Sequence, residues 1–447
     1  MARPIDLLVG GGTLLTLDDR GRRFADGAVA VHGGRILEVG ETRELAPRYL
    51  PARRIDARGG LILPGLVNAH THAAMTLFRG LADDLPLERW LNDHIFPAEA
   101  ALTEEQVYRG ALLACAEMIL SGTTTFCDMY LFEAAVARAA HEAGLRAVVG
   151  EVLFDFPSPH YGGIENGFAV TERLIAEWRG HPRVTVAVEP HSPYLCAPGL
   201  LVRAARLAAR HGVPLVTHLA ETRGEIGTIR ERYGASPVEH LERLGVLGPG
   251  LLACHCVWVD EADIERLARA GVKIAHNAES NLKLASGVAP VPRMLAAGLC
   301  VGIGTDGAAS NNDLDLLREM DTVAKIHKGT ALDPAVMDAE TVLGMATREG
   351  ARALGLGEVT GTLEPGKRAD LIVVDTRRPH LVPLYQPASQ LVYAARGSDV
   401  ACTVVEGRVL MEGGRIETFD VEEAMAAVER LAVGIRGARR GRAGGAP

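Results

Sequence analysis

The sequence predicts an α/β protein: a (β/α)8 TIM-like barrel with a small β-sandwich domain built from both chain ends. Three observations carry this expectation. Eight apolar runs recur from residue 63 onward, each ending in a polar residue. Segments with apolar residues at three- and four-residue intervals separate them, and both flanks read as short alternating strands broken by glycine-rich turns. At 447 residues and 48% hydrophobic content, the chain can bury a core of that size.

Residues 1–62 contain "IDLLVGGGTLLTLDD" and "GAVAVHGGRILEVGE", and residues 358–417 contain "ADLIVVD" and "ACTVVEGRVLMEGGRIE". Together they are expected to form one small sandwich without a catalytic part. "VGGGTLL" lacks both the GxGxxG spacing and a following helix, so it reads as a turn between strands and not as a phosphate loop. Residues 63–357 hold the barrel, with strands in "LPGLVNAHTH", "TTTFCDMY", "RAVVGEVLFD", "VTVAVEPHSP", "VPLVTHLAET", "LLACHCVWVD", "VKIAHNAES" and "CVGIGTDGAAS". Near-continuous apolar runs of this kind suit strands covered on both faces of a parallel sheet. "LFEAAVARAAHEAGL", "PGLLVRAARLAARHG" and "DEADIERLARAG" between them have the spacing of amphipathic helices.

In such a barrel the strand C-termini surround one mouth. That would bring His72, Asp128, Glu151, His191, His218, His255, His276 and Asp306 to a common space, more titratable groups than packing explains. Residues 73 to 100, with Trp90 and Glu99, form a connection of the length that active-site lids have. Residues 418–447 are expected to be a C-terminal helix and a flexible basic tail ending "RGARRGRAGGAP".

Composition narrows the function. The 56 acidic against 47 basic residues, a net charge of −9, point to a small-molecule partner and away from nucleic acid. No apolar run approaches the roughly 18 residues of a membrane span, and the first residues lack a signal-peptide pattern, so a cytoplasmic protein without membrane partners is expected. A homo-oligomer is also expected. Seven scattered cysteines read as reduced core thiols. Cys254 and Cys256 flank His255, but strand alternation turns both away from the histidine's face, which argues against a Cys–His–Cys metal site.

His70 and His72 stand two apart at the end of the first barrel strand. Residues i and i+2 share a strand face with Cα atoms about 6 to 7 Å apart, so two imidazoles there can converge on a metal ion. With "PGLVNAHTH", "THLAET", "HCVW", "HNAESNLKLASG" and "GIGTDGAASNN", the chain resembles the amidohydrolase superfamily, and in detail its 5-methylthioadenosine/S-adenosylhomocysteine deaminases.

The resemblance implies a single divalent metal ion, Zn2+ with Fe2+ as the alternative, held by His70, His72, His218 and Asp306 with water in the open position. Two-metal relatives use a bridging lysine where this chain reads "VAVEPHSP", so one ion is favoured. It implies catalytic roles for Glu221, which would shuttle a proton to the substrate's ring nitrogen, His255, which would orient the water, and Asp306, which would accept the water's proton. It assigns the ribose hydroxyls to Glu99 and substrate orientation to His191; Glu221, Trp90 of the long connection and Glu151 of the third strand are further candidates for substrate contact. Glu151 stands where many such deaminases carry an arginine after "LRA", and as a wall residue it would disfavour a carboxylate on the substrate's 5' substituent.

The activity implied is deamination of 5'-methylthioadenosine, S-adenosylhomocysteine, adenosine or 5'-deoxyadenosine to the inosine analogue plus ammonia, by attack of metal-bound hydroxide. One alternative is a hydrolase of a free purine, pyrimidine or triazine ring, which would have no use for Glu99. Another is a non-catalytic scaffold of the same fold, against which the intact set of metal and acid–base residues argues. A cytidine-type deaminase site is not expected, because the chain has no CxxC.

Overall fold

Period-two apolar spacing at the N-terminus gives β1 (Arg3–Leu15), β2 (Arg23–His32) and β3 (Arg35–Glu41) as an antiparallel meander, with β4 (Tyr49–Asp56) and β5 (Leu61–Pro64) parallel to β1. These assignments come from a computed structural model that describes residues 2–85 and 89–443, with residues 436–443 as backbone only. The triple glycine is not a turn between strands, as its composition predicts, but a bulge inside β1. There the strand changes partner, pairing β4 up to Gly10 and β5 from Thr13. Gly11 has φ +77°, and a Cβ at Gly12 would lie 2.4 Å from the Gly60 carbonyl oxygen, so side chains are excluded by conformation at one position and by space at the next.

The barrel strands follow: β6 (Leu66–Thr71), β7 (Thr123–Tyr130), β8 (Arg146–Leu153), β9 (Val184–Val186), β10 (Glu189–Pro190), β11 (Leu215–Leu219), β12 (Leu251–His255), β13 (Lys273–His276) and β14 (Cys300–Ile303). Each of the eight expected runs contains strand, and the fourth is split into β9 and β10. Parallel pairing runs from β6 through β10 and again from β11 through β14. The first seam closes where Val216 N–H donates to the Val188 carbonyl (3.0 Å) and His218 N–H to that of His191 (2.9 Å). The second closes where Asp306 N–H donates to the His70 carbonyl at 3.0 Å. Gly304 lies flush against β6 at that seam, since a Cβ would stand 2.7 Å from His70 N.

Helices outside the barrel start and stop on sequence signals. Thr103 and Gln106 form a reciprocal cap on Glu104–Leu120, Asp260 caps Glu261–Ala270, and Gly144, Gly212 and Gly271 end their helices in the left-handed region. One continuous apolar cluster joins these helices to the barrel. The chain then returns: β15 (Leu371–Val374) pairs antiparallel with β5 and continues through β16 (Val400–Val405), β17 (Arg408–Glu412) and β18 (Arg415–Ile416). Both chain ends thus share one nine-stranded sheet, the arrangement expected of the sandwich. Buried Arg146 of β8 fastens it to the barrel through Asp370, Nε to Oδ2 at 2.8 Å. The last helix is Val421–Ala443, so the segment expected as a basic tail is helical in backbone that far, and residues 444–447 lie outside the described residues. Among the described residues no helix is long and apolar enough to cross a membrane.

Candidate active site

The floor of the barrel mouth is built from β6, β11 and the turn after β14. His70 is wholly buried, and neither of its ring nitrogens has a hydrogen-bond partner. His72 follows β6 and donates Nδ1–H to the Met129 carbonyl. His218 of β11 donates Nδ1–H to the His191 carbonyl at 2.8 Å, and its Nε2 lies 3.4 Å from that of His72. Asp306 has φ +64°, which turns its side chain into the mouth. Its Oδ2 accepts the hydroxyls of Ser280 (2.6 Å) and Ser310 (2.9 Å). Oδ1 is buried without a hydrogen-bond partner, 3.2 Å from His72 Nε2 and 3.6 Å from His70 Nε2.

Ligand atoms of His70, His72 and His218 lie within 4.8 Å of one another, and so do those of His70, His255 and Asp306. A buried polar atom without a partner costs about 1 to 3 kcal/mol, and here such atoms converge. A divalent cation satisfies them together, and the carbonyls behind His72 and His218 fix the tautomers that leave Nε2 free for it. Charge states agree. Burial holds His70 and His218 well below the usual imidazole range, and Asp306 stays ionised because His72 beside it outweighs burial. His72 goes the other way, to about 9, since the Asp306 carboxylate overrides burial's opposition to its charge. A cation on that carboxylate removes the reason for the proton.

Acid–base groups stand above this floor. β11 stops at Leu219, Ala220 takes φ +53°, and the turn carries Glu221 over the mouth. One carboxylate oxygen of Glu221 accepts the Ser286 hydroxyl at 3.4 Å, and the other lies 4.0 Å from His255 Nε2. Burial raises the proton affinity of Glu221, with His255 acting against it. His255 ends β12 at φ +72°, and the Asn281 side-chain amide donates to its Nδ1 at 2.9 Å, so Nε2 faces the mouth.

The cleft above is closed on one side by the connection after β6. Residues 86–88 of the expected lid lie outside the described residues, but Trp90 and Glu99 both line the cleft. Glu99 sits on the short helix Phe96–Glu99, faces Tyr130, and binds its proton more tightly than usual because it is partly withdrawn from water. Opposite stand Val152 and Phe154 from β8 and the residue after it. His191 lines the same space, its ring centroid 4.6 Å from that of His218, and burial lowers its pKa to about 3.

The amidohydrolase family model matches residues 61–410, barrel and site included. The chain belongs to the amidohydrolase family. It is 60% identical over 427 residues to a 5-methylthioadenosine/S-adenosylhomocysteine deaminase of Syntrophobacter fumaroxidans, covering 96% of this chain and 98% of the relative. Over 433 residues it is 45% identical to a 5'-deoxyadenosine deaminase of Methanosarcina mazei (95% and 98% covered). Its fold matches the crystal structure of an adenosine deaminase from Xanthomonas campestris with bound zinc at a TM-score of 0.96 and 39% identity, covering 98% of this chain and 100% of that one.

In this amidohydrolase the ring of eight strand-end residues divides. His72, His191, His218, His255 and Asp306 line the cleft, while Asp128, Glu151 and His276 do not. The expectation for Glu151 is corrected by the pleat of β8. Alternation sends Val152 to the cleft and Glu151 to the other face, where its carboxylate accepts the backbone N–H of Phe132 (3.3 Å) and Glu133 (3.0 Å) and meets His160 Nδ1 at 2.8 Å. Asp128 accepts the Ala73 N–H at 2.5 Å, and His276 is paired with His327 at 3.1 Å between Nε2 atoms. Cys254 and Cys256 are buried free thiols. Sequence reasoning passed over Ser280, Asn281, Ser286 and Ser310, which hold the functional side chains. All four lie inside the quoted motifs "HNAESNLKLASG" and "GIGTDGAASNN", where only the histidine and aspartate announce their chemistry.

Proposed function

We infer that this amidohydrolase is an aminohydrolase that removes the 6-amino group of an adenine nucleoside, giving the inosine analogue and ammonia. The observation that carries the reading is the convergence of His70, His72, His218 and Asp306, with the ring nitrogens of His70 and Oδ1 of Asp306 unpartnered, in the cleft that Glu221 and His255 also line. The relatives named for 5-methylthioadenosine, S-adenosylhomocysteine and 5'-deoxyadenosine support the nucleoside as substrate class.

Three imidazoles and a carboxylate suit one zinc ion, which when bound supplies a water that deprotonates near neutral pH. The remaining work belongs to the chain. Asp306, ionised and anchored through Oδ2 by two serines, is the acceptor for the water's proton. Glu221, whose proton affinity burial raises, donates to the ring nitrogen as oxygen adds to the neighbouring carbon. Asp306 then passes the proton taken from water to the departing amine, and the proton left on the new oxygen returns to Glu221. His255 fixes the water by Nε2, with Nδ1 held by Asn281. Neutral His191 orients the base, Glu99 accepts the ribose hydroxyls, and Trp90 screens the cleft from solvent. The barrel of residues 63–357 would contain the chemistry, with 1–62 and 358–417 as its structural companion. Seven free cysteines support a reducing, cytoplasmic setting.

The test is ammonia release from 5'-methylthioadenosine, 5'-deoxyadenosine, adenosine, S-adenosylhomocysteine and free adenine, on wild type and on Glu99→Ala. Nucleosides should be turned over far faster than adenine, and the variant should lose most of that preference, since charge-assisted hydrogen bonds contribute roughly 1.5 to 3 kcal/mol each. No ammonia from any nucleoside, or equal rates with free adenine, would overturn the reading.

A further inference from the structure

Glu225 has no part in the scheme above, yet its carboxylate is buried directly behind the turn that carries Glu221. It occupies the first turn of the helix Arg223–Tyr233, whose cap is the Thr222 hydroxyl. Its side chain reaches back past the helix start. Oε1 accepts the Ala220 N–H at 2.9 Å and Oε2 the Glu221 N–H at 2.9 Å. The other side of the same turn is held by β12's exit, where Trp258 N–H donates to the Ala220 carbonyl at 2.8 Å. The Trp258 indole in turn donates to the Ser286 carbonyl at 2.7 Å, and Ser286 is the residue whose hydroxyl meets the Glu221 carboxylate.

Ala220 needs this support. A non-glycine residue at φ +53° is held against its own preference, and such conformations persist only where the surroundings over-determine them. Two consecutive N–H groups pointing the same way form a concave anion seat, and a carboxylate fills both places at once. We propose that Glu225 is a positioning residue: by clamping the Ala220 and Glu221 amides it sets the height of the Glu221 carboxyl above the metal ligands, and so the proton-transfer step. This rests on the reading of Glu221 as the proton shuttle.

The geometry also dictates the variant. Glu225→Gln keeps length and shape but offers one accepting oxygen, and its NH2 group opposes the second N–H. With 5'-methylthioadenosine as substrate, Glu225→Gln should lower kcat by about 10- to 100-fold, with KM within about threefold of wild type and full metal content, measured well below the melting temperature of both proteins. A misplaced general acid has this signature, because binding survives and proton transfer does not. The decisive arm is the double variant. If Glu225 acts through Glu221, Glu225→Gln added to Glu221→Gln should cost no more than about twofold further. A Glu225→Gln kcat within twofold of wild type, a loss that follows metal loss, or a full additional loss in the double variant would each overturn the proposal. Full activity in Glu221→Gln alone would instead overturn the proton-shuttle reading itself.

Discussion

Asp306 keeps its two carboxylate oxygens in different company, one held by two serine hydroxyls and the other turned bare toward two imidazoles. That asymmetry lets one residue be both rigid and reactive, and it depends on a backbone angle, φ +64°, that no pattern of residue types announces. Glu151 is the opposite case, a carboxylate at a strand end whose work is to hold the Phe132–Glu133 amides. Glu151→Gln is therefore expected to destabilise the fold by about 1 to 3 kcal/mol in denaturant titrations, the range for leaving a buried donor unpaired. The kcat/KM ratio of 5'-methylthioadenosine to S-adenosylhomocysteine should stay within about twofold. A tenfold change in that ratio with stability intact would return Glu151 to the substrate wall. His70, His72, His218 and Asp306 could be named in advance because they stand in "NAHTH", "THLAET" and "GTDGAASNN", the motifs that carry the family resemblance. The face Glu151 takes was not, because alternation fixes relative facing but the point where counting starts depends on pairing with β7 and β10.

At the scale of elements, the eight strands were legible as apolar runs and their mouth-forming ends as polar stops. The break between β9 and β10 and the bulge in β1 were not, since both answer to neighbouring strands and not to local composition. β10 also carries an element-level strain on stability. Glu189 is fully buried, neither carboxylate oxygen has a hydrogen-bond partner, and its side chain packs where a Cβ at Gly150 would stand only 2.4 Å away. Burial, then Asp128 and Glu151, raises its proton affinity well above the usual range. The unfolded chain releases this proton near pH 4.5 and the folded chain retains it, so Glu189 costs stability increasingly as pH rises above that point. Glu189→Gln removes the titration. The melting-temperature difference, variant minus wild type, should grow in the variant's favour between pH 5 and pH 8. A difference independent of pH, or one shrinking toward pH 8, would show that Glu189 is ionised and compensated in the fold.

Across the whole molecule, the division of labour follows the chain. Its two ends, 3–64 and 371–416, meet in one sheet fastened to the barrel by the buried Arg146–Asp370 pair, and the barrel between them gathers the site at one mouth. The association of the ends was legible from matching alternation on both flanks, whereas the pairing of β5 with β15 that joins them was not, being a contact between residues some 300 apart in sequence. The central claim is that one divalent ion, held by His70, His72, His218 and Asp306, makes this chain a nucleoside deaminase. It is tested most directly by titrating zinc into chelator-stripped protein while following ammonia release from 5'-methylthioadenosine. Activity should rise from near zero and break at about one equivalent per chain, with no such rise in His218→Ala. Full activity in the stripped protein, or a break at two equivalents, would contradict the account.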